Sequence, residues 1–77
     1  MATTVKELPG HKEVATGNNI QEQGGEYYVS NIRPYPNDNL IKDNTYNISD
    51  PSNQGIVVKL KTPPGAGTQT AIFKKAS

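Results

Sequence analysis

The chain has 77 residues, a formal net charge of +1 at pH 7, no cysteine and a single histidine. This length allows one domain at most. The lack of cysteine excludes disulfide bonds and thiolate zinc sites, and His11 alone does not supply the several nitrogen or sulfur ligands that a transition metal requires. We therefore expect no metal and no cofactor.

Apolar residues are scarce for a chain of this size. Ile, Leu, Val and Phe together occupy 15 of the 77 positions, which is at the lower limit for a self-sufficient core. Chains this short usually gain stability from disulfides, a metal or a partner. Because the first two are excluded, the sequence predicts stabilisation by a partner, either as a homo-oligomer or as a subunit of a larger protein complex.

The first 25 residues show neither a helical nor a strand period, and residues 16–25 are almost entirely polar. Pro9-Gly10 interrupts the one short stretch with helical potential. We predict an extended or flexible arm over residues 1–25 and a small β domain over residues 26–77.

Targeting and membrane signals are not found in the sequence. Residues 1–10 lack the basic and apolar regions of a signal peptide, so we expect cytoplasmic synthesis. The longest aliphatic run, residues 56–58, is far too short to cross a membrane, and we expect no membrane partner.

Strand signals begin after Gly25. Residues 26–33 are rich in aromatic and β-branched residues and predict a strand, which Pro34 and Pro36 end because neither donates to a ladder. Residues 45–48 alternate well enough for a second short strand. No stretch predicts a helix of useful length.

The strongest signal is a C-terminal β-hairpin. Residues 56–62 and 68–75 predict two strands joined by a Pro- and Gly-rich loop over residues 63–67. The register with Thr62 opposite Thr68 segregates the side chains by face. It pairs Leu60 with Thr70, Val58 with Ile72 and Ile56 with Lys74 on a mostly apolar face, and Val57 with Phe73 on the other.

Tyrosines are good candidates for contact with a partner, because they combine a large apolar area with a hydroxyl at a small entropic cost. Tyr27 and Tyr28 are adjacent in a strand and point to opposite faces, so both cannot fill one single-sided core. Packing inside the chain's own core is the competing explanation. Prolines also restrict the backbone of the 33–36 segment before binding. The predicted partner-binding residues are Tyr27, Tyr28, Arg33, Tyr35, Val57 and Phe73.

No residue pattern predicts catalysis. His11 is the side chain best suited to act as a base near neutral pH, and it lies in the polar arm without a cysteine as nucleophile. The carboxylates are spread over loops, and no apolar pocket is predicted that would move their pKa values apart. We expect the protein not to be an enzyme.

Positive charge is concentrated near the C-terminus. Residues 56–77 carry four lysines and no acid, whereas residues 1–55 carry four basic residues against seven acids, a net charge of −3. These lysines, Lys59, Lys61, Lys74 and Lys75, form a candidate basic patch for phosphates. A single arginine and a pI of about 8.0 argue against a dedicated nucleic-acid protein. Lysines on edge strands also discourage aggregation.

The sequence predicts a mainly β fold, with a small antiparallel sheet of three to four short strands, a C-terminal hairpin and an extended polar N-terminal arm. No motif identifies a family. The composition is typical of a non-catalytic structural subunit that binds and stabilises a larger protein assembly, such as a virion decoration (cement) or tail-associated phage protein. The alternatives are a small inhibitor or adaptor of one host protein, and a nucleic-acid accessory module that uses the basic hairpin.

Overall fold

A computed structural model describes residues 2–76, which form one sheet of seven strands. The strands are β1 (Ala2–Glu7), β2 (Glu13–Asn18), β3 (Gln21–Gln23), β4 (Glu26–Val29), β5 (Thr45–Asp50), β6 (Asn53–Thr62) and β7 (Ala71–Lys75). All pairings are antiparallel, and the spatial order is β2-β1-β5-β6-β7-β4-β3. Within residues 2–76 there is no helix, and so none long and apolar enough to span a membrane.

The mainly β character and the antiparallel sheet are confirmed, but the sheet has more strands than the predicted three to four. The additional strands β1, β2 and β3 lie within residues 1–25, where the sequence predicted an extended or flexible arm. Each of these strands sends at most two side chains into the interior, Thr3 and Val5 from β1 and Val14 and Ala15 from β2. So few inward residues leave too short a hydrophobic period to recognise in the sequence.

The sheet curls until β2, at one edge, meets the segment that follows β4. β2 pairs with β1 on one side, and on the other side it bonds the residues that follow β4. The amides of Thr16 and Arg33 each donate to the other residue's carbonyl, at 2.9 and 2.8 Å, and the Asn18 amide donates to the Ser30 carbonyl at 2.9 Å. We call this contact, residues 16–18 against residues 30–33, the closure. It pairs strand edges that would otherwise be free, and it lets a single layer surround the interior.

The core fills the inside of the curled sheet. Its largest fully buried apolar side chains are Tyr46, Phe73, Ile32, Ile48, Leu60, Val5, Val29 and Val58. The Tyr46 and Phe73 rings meet edge to face with centroids 6.3 Å apart. The Tyr46 hydroxyl donates to the Asn39 carbonyl at 2.6 Å and accepts the Ile41 amide at 2.8 Å, which ties the long β4–β5 connection to the core. The radius of gyration is 10.7 Å, close to the value of about 11 Å expected for a compact domain of this length.

The C-terminal hairpin forms from β6 and β7, but its predicted register is wrong. Leu60 lies opposite Phe73, not Thr70, and Val58 lies opposite Lys75, not Ile72. The predicted returning strand began at residue 68, whereas β7 begins at Ala71. The reason is tertiary: the carbonyls of residues 68 and 69 accept bonds from residues 31 and 32, so this segment is not available to β6.

The register shift also overturns the predicted Val57–Phe73 pair. The shift of three residues is odd, and an odd shift moves one strand's side chains to the opposite face relative to its partner. Phe73 therefore points inward, opposite Leu60, with no exposed surface. Val57 points outward and is 46% exposed.

Asp50 fastens the β5–β6 turn to the start of β3. Its Oδ1 accepts bonds from the Ser52 amide and from the amide and side chain of Asn53, and its Oδ2 accepts the Ile20 amide at 2.9 Å. Desolvation raises the pKa of this carboxyl, but the donated hydrogen bonds outweigh it, so the pKa lies below its usual value. The charged carboxylate is thus the form that the fold stabilises.

We expect Asp50→Asn to lower the free energy of unfolding by about 1–2 kcal/mol at neutral pH, because the amide group is a weaker acceptor and places a second donor against the Ile20 or Ser52 amide. Since the folded-state pKa is depressed, the contribution of Asp50 is present above about pH 4 and is lost as the pH falls through the folded-state pKa. Urea titrations from pH 7 to pH 2 should therefore show a smaller acid-induced loss in Asp50→Asn than in wild type. An equal loss in the two proteins would contradict this role. Asp38→Asn, at an exposed loop position, is the control.

Candidate interaction surface

β4 sends its two tyrosines to opposite sides of the sheet, as strand alternation predicts. Tyr27 faces inward, is 8% exposed and lies opposite Phe73 of β7. Tyr28 faces outward, is half-buried and lies between Gln21 of β3 and Ile72 of β7. Tyr27 and Phe73 were both predicted to bind a partner, but as core residues neither offers surface for one.

A group of charged side chains lies on the outer side of β4, β7 and β6. Glu26 lies opposite Lys74, and Lys74 lies opposite Lys59, so the three form a row across these strands. Lys61 reaches this row through an ion pair with Glu26. The next row carries Tyr28 opposite Ile72. We call these residues the lysine face: Glu26, Tyr28, Lys59, Lys61, Ile72 and Lys74.

Glu26 accepts hydrogen bonds at both carboxylate oxygens. Lys61 Nζ donates to Oε2, and the Tyr28 hydroxyl donates to Oε1 at 3.3 Å. The hydrogen bond from Lys61 lowers the pKa of Glu26, and the charge of Lys74 lowers it further. The same contact raises the pKa of Lys61. Both groups are therefore fully charged at neutral pH, in an arrangement suited to holding a carboxylate.

The lysine face carries more positive than negative charge. It has three lysines against one glutamate, and Lys61 already pairs with that glutamate. Lys59 and Lys74 lie directly opposite each other, and both are exposed. A directly opposed pair of like charges costs stability. Lys59 makes no ion pair within the described part of the chain.

The remaining predicted contact residues do not belong to the lysine face. Lys75 lies opposite the inward-facing Val58, so alternation places it on the other side of β7 from Lys74. Val57 is exposed on the outer side of β6, opposite Asn47 of β5. Arg33 is exposed at the end of the closure, and Tyr35, in the connection that follows, is 37% exposed.

A cavity of about 400 Å³ lies between the end of β1 and the connection before β5. Its lining comprises Glu7, Leu8, Asn39, Ile41, Asp43, Asn44, Thr45 and Tyr46. No sequence pattern indicated it, because its residues come from two segments that only the β1–β5 pairing brings together. Ile41, which follows Leu40 in a turn-rich segment, lines this cavity and is 52% exposed.

The other candidate chemistry yields no assembled site. His11 lies at the exposed turn between β1 and β2, with a positive φ of 60°. Within residues 2–76, no three His, Asp or Glu side chains lie close enough together to hold a metal ion.

No protein-family model matches this chain, and comparisons with curated proteins and with solved structures gave no match either. No relative therefore supplies a site residue or a partner, and the surface geometry carries the functional assignment. Among the surfaces described above, the lysine face brings together four of the ten residues predicted from the sequence for contact or charge, namely Tyr28, Lys59, Lys61 and Lys74.

Proposed function

We propose that this protein is a non-catalytic structural subunit that binds and stabilises a larger protein assembly, as decoration (cement) and tail-associated proteins of phage virions do. The observation that carries the proposal is the lysine face, an exposed sheet surface with excess positive charge. The buried polar groups of the interior do not need a partner to complete their hydrogen bonds. Among the described residues, every buried side-chain nitrogen or oxygen has a hydrogen-bond partner.

The lysine face is a broad surface that is suited to contact with another protein. Its charged groups lie on the outer side of three paired strands, so the hydrogen-bonded sheet holds their spacing. Tyr28 and Ile72 add half-buried apolar surface beside the lysines. Val57, further along β6, adds an exposed apolar side chain on the same outer side of the sheet. Apolar contacts ringed by charges are typical of protein–protein interfaces.

The closure bears on how much stability a partner would have to supply. The sequence predicted that a partner would supply missing stability, and that prediction stays open. The curled sheet provides a core within one chain, so a partner of the folded subunit would gain a rigid, preformed surface. Many copies attached to one assembly would add their affinities without any strong single site.

The size of the particle that contains this chain in its native material tests the proposal. We expect the 8.3 kDa chain to sediment with a much larger protein assembly. The assembly stripped of this chain should dissociate at a lower temperature, and adding back the purified protein should restore the original temperature. Recovery as a free chain, or an assembly whose heat stability does not depend on it, would overturn the proposal.

A further inference from the structure

We infer that the lysine face binds the carboxylates of an acidic, extended segment of the partner protein, with the Lys59–Lys74 pair as the main contact. This inference rests on the proposed function and names the chemistry of the partner's surface. It follows from three features of the face: a like-charge pair, a carboxylate already held there and the apolar residues in the next row.

The like-charge pair is the first feature. Lys59 and Lys74 lie opposite each other on adjacent strands and both are exposed. A glutamine at either position would also point into solvent, and the remaining lysine would not repel it. A pairing that costs folding stability is expected where a charge from outside the chain compensates for it. A carboxylate placed between the two ammonium groups provides that compensation.

The second feature is the carboxylate of Glu26, which shows how the face holds an acidic side chain. Its two oxygens accept from the Lys61 ammonium and the Tyr28 hydroxyl. Lys74 stands between this occupied position and Lys59, since it lies opposite both Glu26 and Lys59. The face therefore has one position filled by the chain's own carboxylate and a neighbouring position where Lys74 and Lys59 offer two further ammonium donors.

The third feature favours a protein over a nucleic acid. A phosphodiester backbone brings a continuous line of negative charge, and Glu26, at the β4 end of the row, repels it. The single arginine, Arg33, lies outside the lysine face. Tyr28 and Ile72, one row away, match the apolar side chains of a peptide segment that carries acidic residues at intervals.

The test measures stability and binding in the same variant. Lys59→Gln removes one member of the like-charge pair, and we expect a melting temperature about 1–4 °C higher. At physiological ionic strength, affinity for a Glu-rich peptide should fall about two- to fivefold. Lys12→Gln makes the same charge change in the exposed β1–β2 turn and should alter neither quantity. Glu26→Gln frees Lys61 and the Tyr28 hydroxyl and should raise the affinity for the peptide.

Failure of this inference can be distinguished from failure of the proposed function. A Lys59→Gln protein that melts lower, or that binds the peptide as wild type does, overturns the inference. So does an oligonucleotide of equal charge that binds more tightly than the peptide, since the face would then be a nucleic-acid surface. In each of these cases the proposed function still stands if the wild-type chain sediments with its assembly. If the chain does not, the proposed function fails whatever the peptide result.

Discussion

Phe73→Ala is expected to lower the free energy of unfolding by about 3–5 kcal/mol, the largest effect of any single substitution considered for this protein. Phe73 has no exposed surface and lies between Tyr27 of β4 and Leu60 of β6. Its ring also meets the edge of Tyr46. Truncation to alanine removes these contacts at the centre of a small core and leaves a cavity that the closed sheet cannot collapse to fill.

Val57 provides the matched comparison. It was predicted to share a surface with Phe73, yet it points outward from β6. Val57→Thr keeps the β-branched shape and should change the free energy of unfolding by less than about 0.5 kcal/mol. Urea denaturation of both variants measures the difference. Similar losses from the two substitutions would show that these side chains share one environment, and the observed register would then be wrong.

Gly17→Ala is expected to destabilise the protein by about 1–3 kcal/mol, because β2 passes too close to the opposite strand for any side chain at this position. A Cβ atom on Gly17 would lie 2.6 Å from Val29 Cγ1 and 2.8 Å from the Ser30 carbonyl oxygen. One of these neighbours is backbone, so a side-chain rotation does not relieve the contact. The substitution therefore forces the closure apart.

Gly10→Ala is the control for this experiment. Gly10 lies in the β1–β2 turn, and a Cβ there would have no other atom within 4 Å. We expect thermal melting to show a clear decrease for Gly17→Ala and little change for Gly10→Ala. Equal melting temperatures for Gly17→Ala and wild type would mean that residues 16–18 do not pack against residues 29–30.

Local patterns in the sequence were sufficient for much of the sheet. The aromatic and β-branched run at residues 26–33 predicted β4, which is shorter and ends at Val29, and the alternation at residues 45–48 predicted β5, which continues to Asp50. The two C-terminal strands pair as a hairpin. The opposite orientations of Tyr27 and Tyr28 follow from strand geometry alone. These features depend on residues that are close together in the chain.

Features that depend on distant contacts were not predictable in this way. The hairpin register is set by residues 68 and 69, which bond residues 31 and 32. β1 is stabilised by pairing with β5, whose residues are distant from it in the chain, as in the pair of Val5 with Ile48. A single sequence shows neither pairing. Both pairings depend on backbone hydrogen bonds, which do not require particular residue types. Polar strands of this kind therefore resemble a flexible arm.

The candidate surface was predictable in part. The sequence indicated the concentration of lysines near the C-terminus, but the predicted register placed Lys74 with Ile56 on the mostly apolar face, whereas Lys74 shares the outer side of the hairpin with Lys59 and Lys61. Glu26 and Tyr28 join them because β7 pairs with β4. The sequence predicted that Tyr28 or its neighbour faces outward, but it did not indicate that Glu26 pairs with Lys61.

Residues 2–23 belong to the closed sheet, so that the chain encloses its core without a partner. Amide hydrogen exchange on the isolated protein, at a dilution where it sediments as a single chain, tests this most directly. The closure predicts that the amides of Thr16, Asn18 and Arg33 exchange as slowly as the amide of Leu60 in the central strand β6. Rapid exchange at Thr16 and Asn18 beside a protected Leu60 would contradict it, since the first 25 residues would then be an arm.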